Sequence, residues 1–250
     1  MIRWSEVSVS YADSRVLGPI TLEVADGEWV GIIGPNGSGK STMLKAAVGV
    51  VDFDGEVSLS GKSPRPGLDV AWMPQRPMLP EGMTVSDYVM LGRTPHLGYL
   101  ETEGPEDMAA VERALNLMDL TRFAARPLAT LSGGEAQRVV MARAIAQEAP
   151  VILLDEPTAN LDIGHAVEVL DAIDELRKAH ALTVVSAVHD LTLAGRYVDR
   201  LTLLSGGLVQ ALGDPAVVLT EEVLTPHYGA GIRVIPDEGG PVVIPTRQVR

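Results

Sequence analysis

Nine residues narrow the folds open to this chain more than any others: Gly34-Pro35-Asn36-Gly37-Ser38-Gly39-Lys40-Ser41-Thr42. They match G-x-x-x-x-G-K-[ST], the pattern of a glycine-rich loop that cradles phosphates. The apolar run Trp29-Val30-Gly31-Ile32-Ile33 leads in as a buried strand, and Met43-Leu44-Lys45-Ala46-Ala47-Val48 leads out as a helix. A nucleoside triphosphate needs that order. Glycines let backbone N–H groups curl around phosphate oxygens, and the helix N-terminus adds partial positive charge. Lys40 is placed to reach the β- and γ-phosphates, and the Ser41 hydroxyl to ligate magnesium. The residues from Gly34 to Thr42 are therefore assigned to nucleotide binding.

Bulk properties remove other classes. The 250 residues suit one large domain, or one domain with an inserted lobe. Thirty-three acidic residues against 20 basic ones leave a net charge of −13, which disfavours nonspecific nucleic-acid binding. Cysteine is absent, so disulfides, thiolate metal sites and cysteine nucleophiles are excluded together. No apolar run approaches the roughly 18 residues of a membrane span. The start, Met1-Ile2-Arg3-Trp4-Ser5-Glu6, lacks the apolar core of a signal peptide, and a soluble, cytoplasmic chain is expected.

Strand-like alternation marks Val7–Ser10, Ile20–Val24 and Glu56–Ser60, with a turn at Asp26-Gly27. Val70–Met73 is a short apolar strand closed by Pro74. From Thr84 to about Ala149 the pattern is helical, with Met108, Val111, Leu115 and Met118 on one predicted face and Pro105 in a first turn. Val151–Leu154 and Leu182–Ser186 are continuous apolar runs, as in parallel strands covered on both faces. The helix between them places Val167, Leu170, Ile173 and Leu176 on one side. Leu201–Leu204 and Leu208–Ala211 form a hairpin candidate turning at Ser205-Gly206-Gly207, and the tail after Gly229 carries Pro, Gly and short Val/Ile pairs. The plan is an α/β core, a helical insert and antiparallel β structure at the edges.

Two further constellations carry chemistry. Asp155 and Glu156 follow the run Val151–Leu154, at the C-terminal end of a parallel strand, where ligands of open α/β sheets bind. Asp155 is placed to hold magnesium directly or through water, and Glu156 to orient and polarise the attacking water. Ser132 and Glu135 form an S-x-x-E capping box, so a helix is expected to start there. Gly133 and Gly134 cost helix propensity in its first turn. They leave exposed N–H groups beside a hydroxyl, a surface suited to the γ-phosphate of a nucleotide bound elsewhere.

With that segment the chain resembles the ABC (ATP-binding cassette) ATPases, whose signature motif Leu131-Ser132-Gly133-Gly134-Glu135 matches. The resemblance runs through nearly the whole chain and implies a P-loop NTPase core with a mostly parallel sheet, an antiparallel β subdomain and an inserted helical subdomain. It implies one ATPase domain over 1–250, with the core at about 1–80 and 150–250 and the helical subdomain at about 81–149. Tyr11 resembles the aromatic that stacks on adenine. Gln75 is similar to the glutamine that contacts magnesium and water and reports the site's state to the helical lobe. Ala159-Asn160-Leu161-Asp162 resembles the loop through which Asp162 communicates across a dimer, and His189 the histidine that contacts the γ-phosphate. The family implies ATP and Mg2+ as cofactors and a homodimer in which Ser132 and Gly134 of one chain cap the phosphate loop of the other. ATP closes that sandwich and hydrolysis near Glu156 opens it.

The spacing from Lys40 to Ser132 is 92 positions, enough for a compact helical lobe and too few for a long inserted coiled coil. With one cassette and no fused membrane segment, the separate ATPase subunit of a prokaryotic transporter is expected. Met90-Leu91-Gly92-Arg93-Thr94-Pro95-His96-Leu97-Gly98 lies where importers dock their permease, and resembles a segment of ATPases serving iron–siderophore, haem and cobalamin importers. Leu161-Asp162-Ile163-Gly164-His165 and the short tail ending Pro241-Val242-Val243-Ile244-Pro245 are similar to that group too. The resemblance thus implies a polytopic membrane permease as partner, an extracytoplasmic substrate-binding protein acting through it, no nucleic acid, and peripheral residence on the cytoplasmic face of the membrane. Zinc or manganese importers, and a soluble ABC ATPase outside transport, remain the alternatives.

Overall fold

A computed structural model describes residues 1–12, 14–159, 161–229 and 231–246. The elements run in the order β1 (Ile2–Tyr11), β2 (Ser14–Val24), β3 (Trp29–Ile33), α1 (Lys40–Ala47), β4 (Asp54–Leu59), β5 (Val70–Met73), α2 (Val85–Met90), α3 (Pro105–Leu117), α4 (Gly133–Ala146), β6 (Val151–Asp155), α5 (Ile163–His180), β7 (Thr183–Ala187), α6 (Leu191–Tyr197), β8 (Arg200–Ser205), β9 (Leu208–Gly213), α7 (Pro215–Val218), α8 (Glu221–Tyr228), β10 (Gly231–Ile235) and β11 (Val242–Thr246). A 3-10 helix, Leu91–His96, follows α2. The chain divides into two compact units, Met1–Ser63 with the chain from Thr183 onward, and Pro64–Leu182.

In the first unit β1 pairs antiparallel with β2 on one side and β4 on the other. Alternation along β1 buries Ile2, Trp4, Val7 and Val9, and the Trp4 indole donates to the Met43 carbonyl of α1 at 3.3 Å. Strand β3 is flanked in parallel by β7 and β8, and every residue of β3 and β7 is buried. Burial on both faces explains why these runs read as continuous rather than alternating. Trp29 is fixed from two directions, its indole donating to Ser186 Oγ and its backbone N–H to Asp199 Oδ2, both at 2.8 Å. Strands β8 and β9 form the expected hairpin. Gly206 and Gly207 turn it with φ of 59° and 77°, the sign that a two-residue loop between right-twisted strands requires.

The tail is more regular than its composition suggests. Strands β10 and β11 pair antiparallel from Gly231↔Thr246 to Ile235↔Val242, and the Val243 N–H donates to Thr192 Oγ1 of α6 at 3.1 Å. Pro236, Pro241 and Pro245 break the alternation that marks a strand in sequence.

In the second unit β5 and β6 pair in parallel, with Met73 opposite Leu154. A Thr84–Asp87 capping box starts α2, and Pro105 sits in the first turn of α3. The buried face of α3 is Asp107, Ala110, Val111, Ala114 and Leu115, while Met108 is 60% exposed. Val111, Leu115 and Met118 of the expected stripe are buried and Met108 is not, because small alanines let neighbouring helices approach and that methionine lies outside the contact. Helix α5 buries Ala166, Val169, Leu170 and Ile173. Each of its three larger side chains contributes about 2 kcal/mol by leaving water.

Candidate nucleotide site

The phosphate loop leaves β3 at Gly34, whose φ is +146° and where an added Cβ would stand 2.0 Å from the Leu204 carbonyl oxygen. Only glycine fits there. Gly37 and Gly39 also take positive φ, and Gly39 is the N-cap of α1 with no side chain capping the helix. The helix start therefore presents its partial positive charge to the loop. Lys40 is 5% exposed, and its ammonium donates to the carbonyls of Gly34 at 2.7 Å and Pro35 at 3.2 Å. Ser38 Oγ is buried with no hydrogen-bond partner among the described residues. Pro35 is half-buried and Asn36 and Gly37 exposed, so the loop is open to solvent on that side, with Ser41 and Thr42 half-buried behind it. A buried ammonium, an orphaned hydroxyl and a glycine backbone around an open loop fit a polyphosphate: each can give a hydrogen bond to phosphate oxygen.

Two more predicted residues belong to this unit. The Val188 N–H donates to the Ile32 carbonyl at 3.0 Å, so His189 emerges beside the strand end that feeds the loop. Asp190 follows it as N-cap of α6, accepting from the Thr192 and Leu193 N–H groups at 2.9 Å. Tyr11 ends β1 and is 51% exposed. Sequence reasoning missed Tyr228, on α8. Burial pushes its phenol up to about 12, offset in part by a hydrogen bond from the Gly34 backbone. No local pattern announces a contact between residues so far apart.

In the second unit Asp155 ends β6 at 1% exposure, and Glu156 follows with φ of +57°. Gln75 comes two residues after β5, so the parallel register brings Gln75, Asp155 and Glu156 to the same end of the strand pair. The predicted capping box is present: Ser132 Oγ accepts from the Glu135 N–H at 3.3 Å, and Glu135 Oε2 from the Ser132 N–H at 2.7 Å. That backbone hydrogen bond, with Arg126 beside it, holds the Glu135 carboxyl below the usual range. Gly133 is exposed, with no described residue within 4 Å of an added Cβ, so the first turn of α4 offers bare N–H groups. Asp162 caps α5, accepting from the His165 N–H at 2.9 Å, with its other oxygen 2.8 Å from His165 Nδ1. The backbone hydrogen bond first, then the imidazole, lowers its carboxyl. Asn160 lies outside the described residues.

Two distinctive residues of the segment 90–98 reach the end of α4, Arg93 buried and His96 exposed. Arg93 is 6% exposed, and its guanidinium donates to Asp107 Oδ1 at 2.8 Å, the Ala146 carbonyl at 2.8 Å and Glu148 Oε2 at 3.0 Å. His96 Nε2 lies 2.8 Å from the Gln147 carbonyl oxygen. These side chains bind the segment to the C-terminal end of α4. Leu91 and Thr94 are also exposed, and just beyond the segment Tyr99 and Leu100 are fully or nearly fully exposed. Gln137 also went unremarked in sequence: it is 6% exposed, and its amide reaches the carbonyls of Glu156 and Pro157.

A phosphate loop on a parallel sheet, an Asp-Glu strand end and a glycine-rich helix cap define an ATP-binding cassette. The chain belongs to the ABC transporter family, whose model matches residues 17–159. Among relatives, it is 39% identical over 235 residues to a cobalamin import ATP-binding protein of Halobacterium salinarum, covering 91% of this chain and 58% of that protein. The chain thus spans just over half the length of that relative. It is 36% identical over 239 residues to an achromobactin transport ATP-binding protein of Dickeya dadantii, covering 93% and 89%. A hemin import ATP-binding protein of Myxococcus xanthus is 39% identical over 247 residues, covering 92% and 91%. Among solved structures, a dimeric ATP-binding cassette in a post-hydrolysis state bound to ADP and Pi superposes with a TM-score of 0.78 at 29% identity, covering 86% of this chain and 99% of that one.

Proposed function

We propose that this chain is the ATP-hydrolysing subunit of an importer for an iron–siderophore, haem or a corrinoid, held on the cytoplasmic face of the membrane by a separate polytopic permease. One observation carries the reading: achromobactin and hemin import ATP-binding proteins align with it over about nine-tenths of both chains. Among the described residues no helix is long and apolar enough to cross a membrane; in this reading the permease provides the path for the cargo. A substrate-binding protein outside the membrane would deliver the cargo. The whole chain acts as one ATPase domain, and two copies work together.

The residues divide the labour. Gly34 to Thr42 wrap the phosphates, and Lys40 exchanges its two loop carbonyls for phosphate oxygens. Tyr11 stacks on the adenine. Ser41, Gln75 and Asp155 would hold magnesium, whose charge would offset that of the phosphates. Glu156 orients and polarises water, and His189 contacts the γ-phosphate. Ser132, Gly133 and Gly134 present the start of α4 to the nucleotide of the second copy, with Asp162 beside them. ATP favours the closed pair only through contacts made in it.

Glu156→Gln is the test. The variant is expected to bind MgATP and accumulate as a dimer on size exclusion, with turnover almost abolished. Turnover at the wild-type rate would remove Glu156 from this role. Capture of the tagged chain from its native membranes should bring down a polytopic permease; capture of cytosolic proteins alone would end the importer reading.

A further inference from the structure

Glu156 holds a backbone conformation that residues with a Cβ seldom adopt, φ +57°. Such a conformation persists when its surroundings over-determine it. Three hydrogen bonds do so. The Ala159 N–H donates to the Glu156 carbonyl at 3.1 Å, closing the turn. The amide nitrogen of Gln137 donates to that same carbonyl at 3.1 Å and to the Pro157 carbonyl at 3.3 Å. A primary amide carries two N–H donors on one nitrogen, so one side chain can hold both carbonyls. Gln137 is 6% exposed, which keeps water from competing.

Where that amide sits is set by α4. Gln137 lies one turn beyond Gly133, and the Ser132–Glu135 box fixes the helix start. We infer that Gln137 is a positioning residue for the hydrolytic carboxylate: it locks the turn that aims Glu156, and ties that aim to the glycine-rich cap of α4. The inference rests on the ATPase reading above. A change at the cap reaches Glu156 within the same chain, through one helical turn and one amide. A sidestep of the cap shifts the carboxylate without touching any nucleotide contact of the phosphate loop.

Gln137→Met keeps the volume and loses both donors. Turnover is expected to fall about tenfold or more, as small misplacements of a reacting group do, with KM for ATP within about twofold of wild type. Amide exchange at Glu156, Thr158 and Ala159 should quicken, because Ala159 loses a fixed acceptor. Combined with Glu156→Gln, the substitution should cost no further turnover, since it acts through that carboxylate. If Gln137→Met does not fold, Gln137→Glu keeps the shape while replacing the donor with an acceptor, and the same outcomes are expected. Unchanged exchange at 156–159 in a folded variant would overturn the inference whatever the turnover, and so would wild-type turnover with faster exchange. A wild-type chain that hydrolyses no ATP with its permease present would overturn the ATPase reading; exchange alone would then decide whether Gln137 holds the turn.

Discussion

Replacing Arg93 with methionine removes a guanidinium and keeps most of its buried stem. Three contacts go with it: Asp107 at 2.8 Å, the Ala146 carbonyl at 2.8 Å and Glu148 at 3.0 Å. Breaking a buried ion pair from one side costs about 3 to 5 kcal/mol. The lower end applies, because neither carboxylate is left alone. Asp107 keeps the Gly104 N–H at 3.0 Å, and Glu148 keeps Arg113 at 2.7 Å. A loss of about 3 kcal/mol lowers Tm by roughly 6 to 12 °C in a domain of this size. Calorimetry of Arg93→Met at neutral pH measures it. Arg93→Lys, which keeps the charge and loses the fork, should fall between the two. The gap between wild type and Arg93→Met should also narrow in acid. The Gly104 hydrogen bond and Arg93 lower the Asp107 carboxyl; burial raises that of Glu148, but Arg113 and Arg93 outweigh it. Groups with depressed folded values stabilise above the ordinary carboxylate range and lose that contribution as pH falls through it. A melt within 2 °C of wild type (less than about 1 kcal/mol) would refute the reasoning.

Other perturbations separate packing from function. Gly92→Ala would place a Cβ 2.4 Å from the Arg143 carbonyl oxygen and 3.3 Å from the Ala146 Cβ; overpacking of about 1 to 3 kcal/mol is expected, and an unchanged Tm would contradict it. Gly133→Ala meets none of the described residues within 4 Å and sits in a helix. Its Tm should hold or rise by the equivalent of about 0.5 to 1 kcal/mol, while ATP-driven dimers of the Glu156→Gln protein should be lost on size exclusion. For the whole chain, the carboxyls of Asp87, Glu135 and Asp162 are lowered chiefly by hydrogen bonds, and Asp174 by Lys178 and Arg177 against burial. The unfolded chain binds protons first, so Tm should stay level from pH 7 to about pH 5 and fall below it; a rise in acid would reverse the sign.

What could be read in advance was local. The phosphate loop, the Ser132–Glu135 box and the Asp155-Glu156 strand end are each complete within a few residues, and their residue types serve few other purposes together. Strands β3, β6 and β7 were legible because burial on both faces leaves an unbroken apolar run. The tail hairpin was not, since its prolines interrupt the alternation and its pairing depends on α6. Apolar spacing groups Met108 with Val111, Leu115 and Met118, which are buried, whereas the alanines of α3 determine where packing is close and leave Met108 outside it.

Charged residues show the limit most clearly. Arg93 reads in sequence as part of an exposed docking segment, since a guanidinium is rarely buried without partners. Its partners lie 14 and 55 residues away, at Asp107 and Glu148, and no periodicity links them. Gln137 is the same case at 19 residues from Glu156. A motif specifies the chemistry a residue can offer, but the distant groups that satisfy it decide whether it faces solvent or holds another element in place. In this chain that division falls inside single motifs. Leu91 and Thr94 of 90–98, and Tyr99 and Leu100 just beyond it, face solvent, while buried Arg93 and exposed His96 hold the segment on the end of α4.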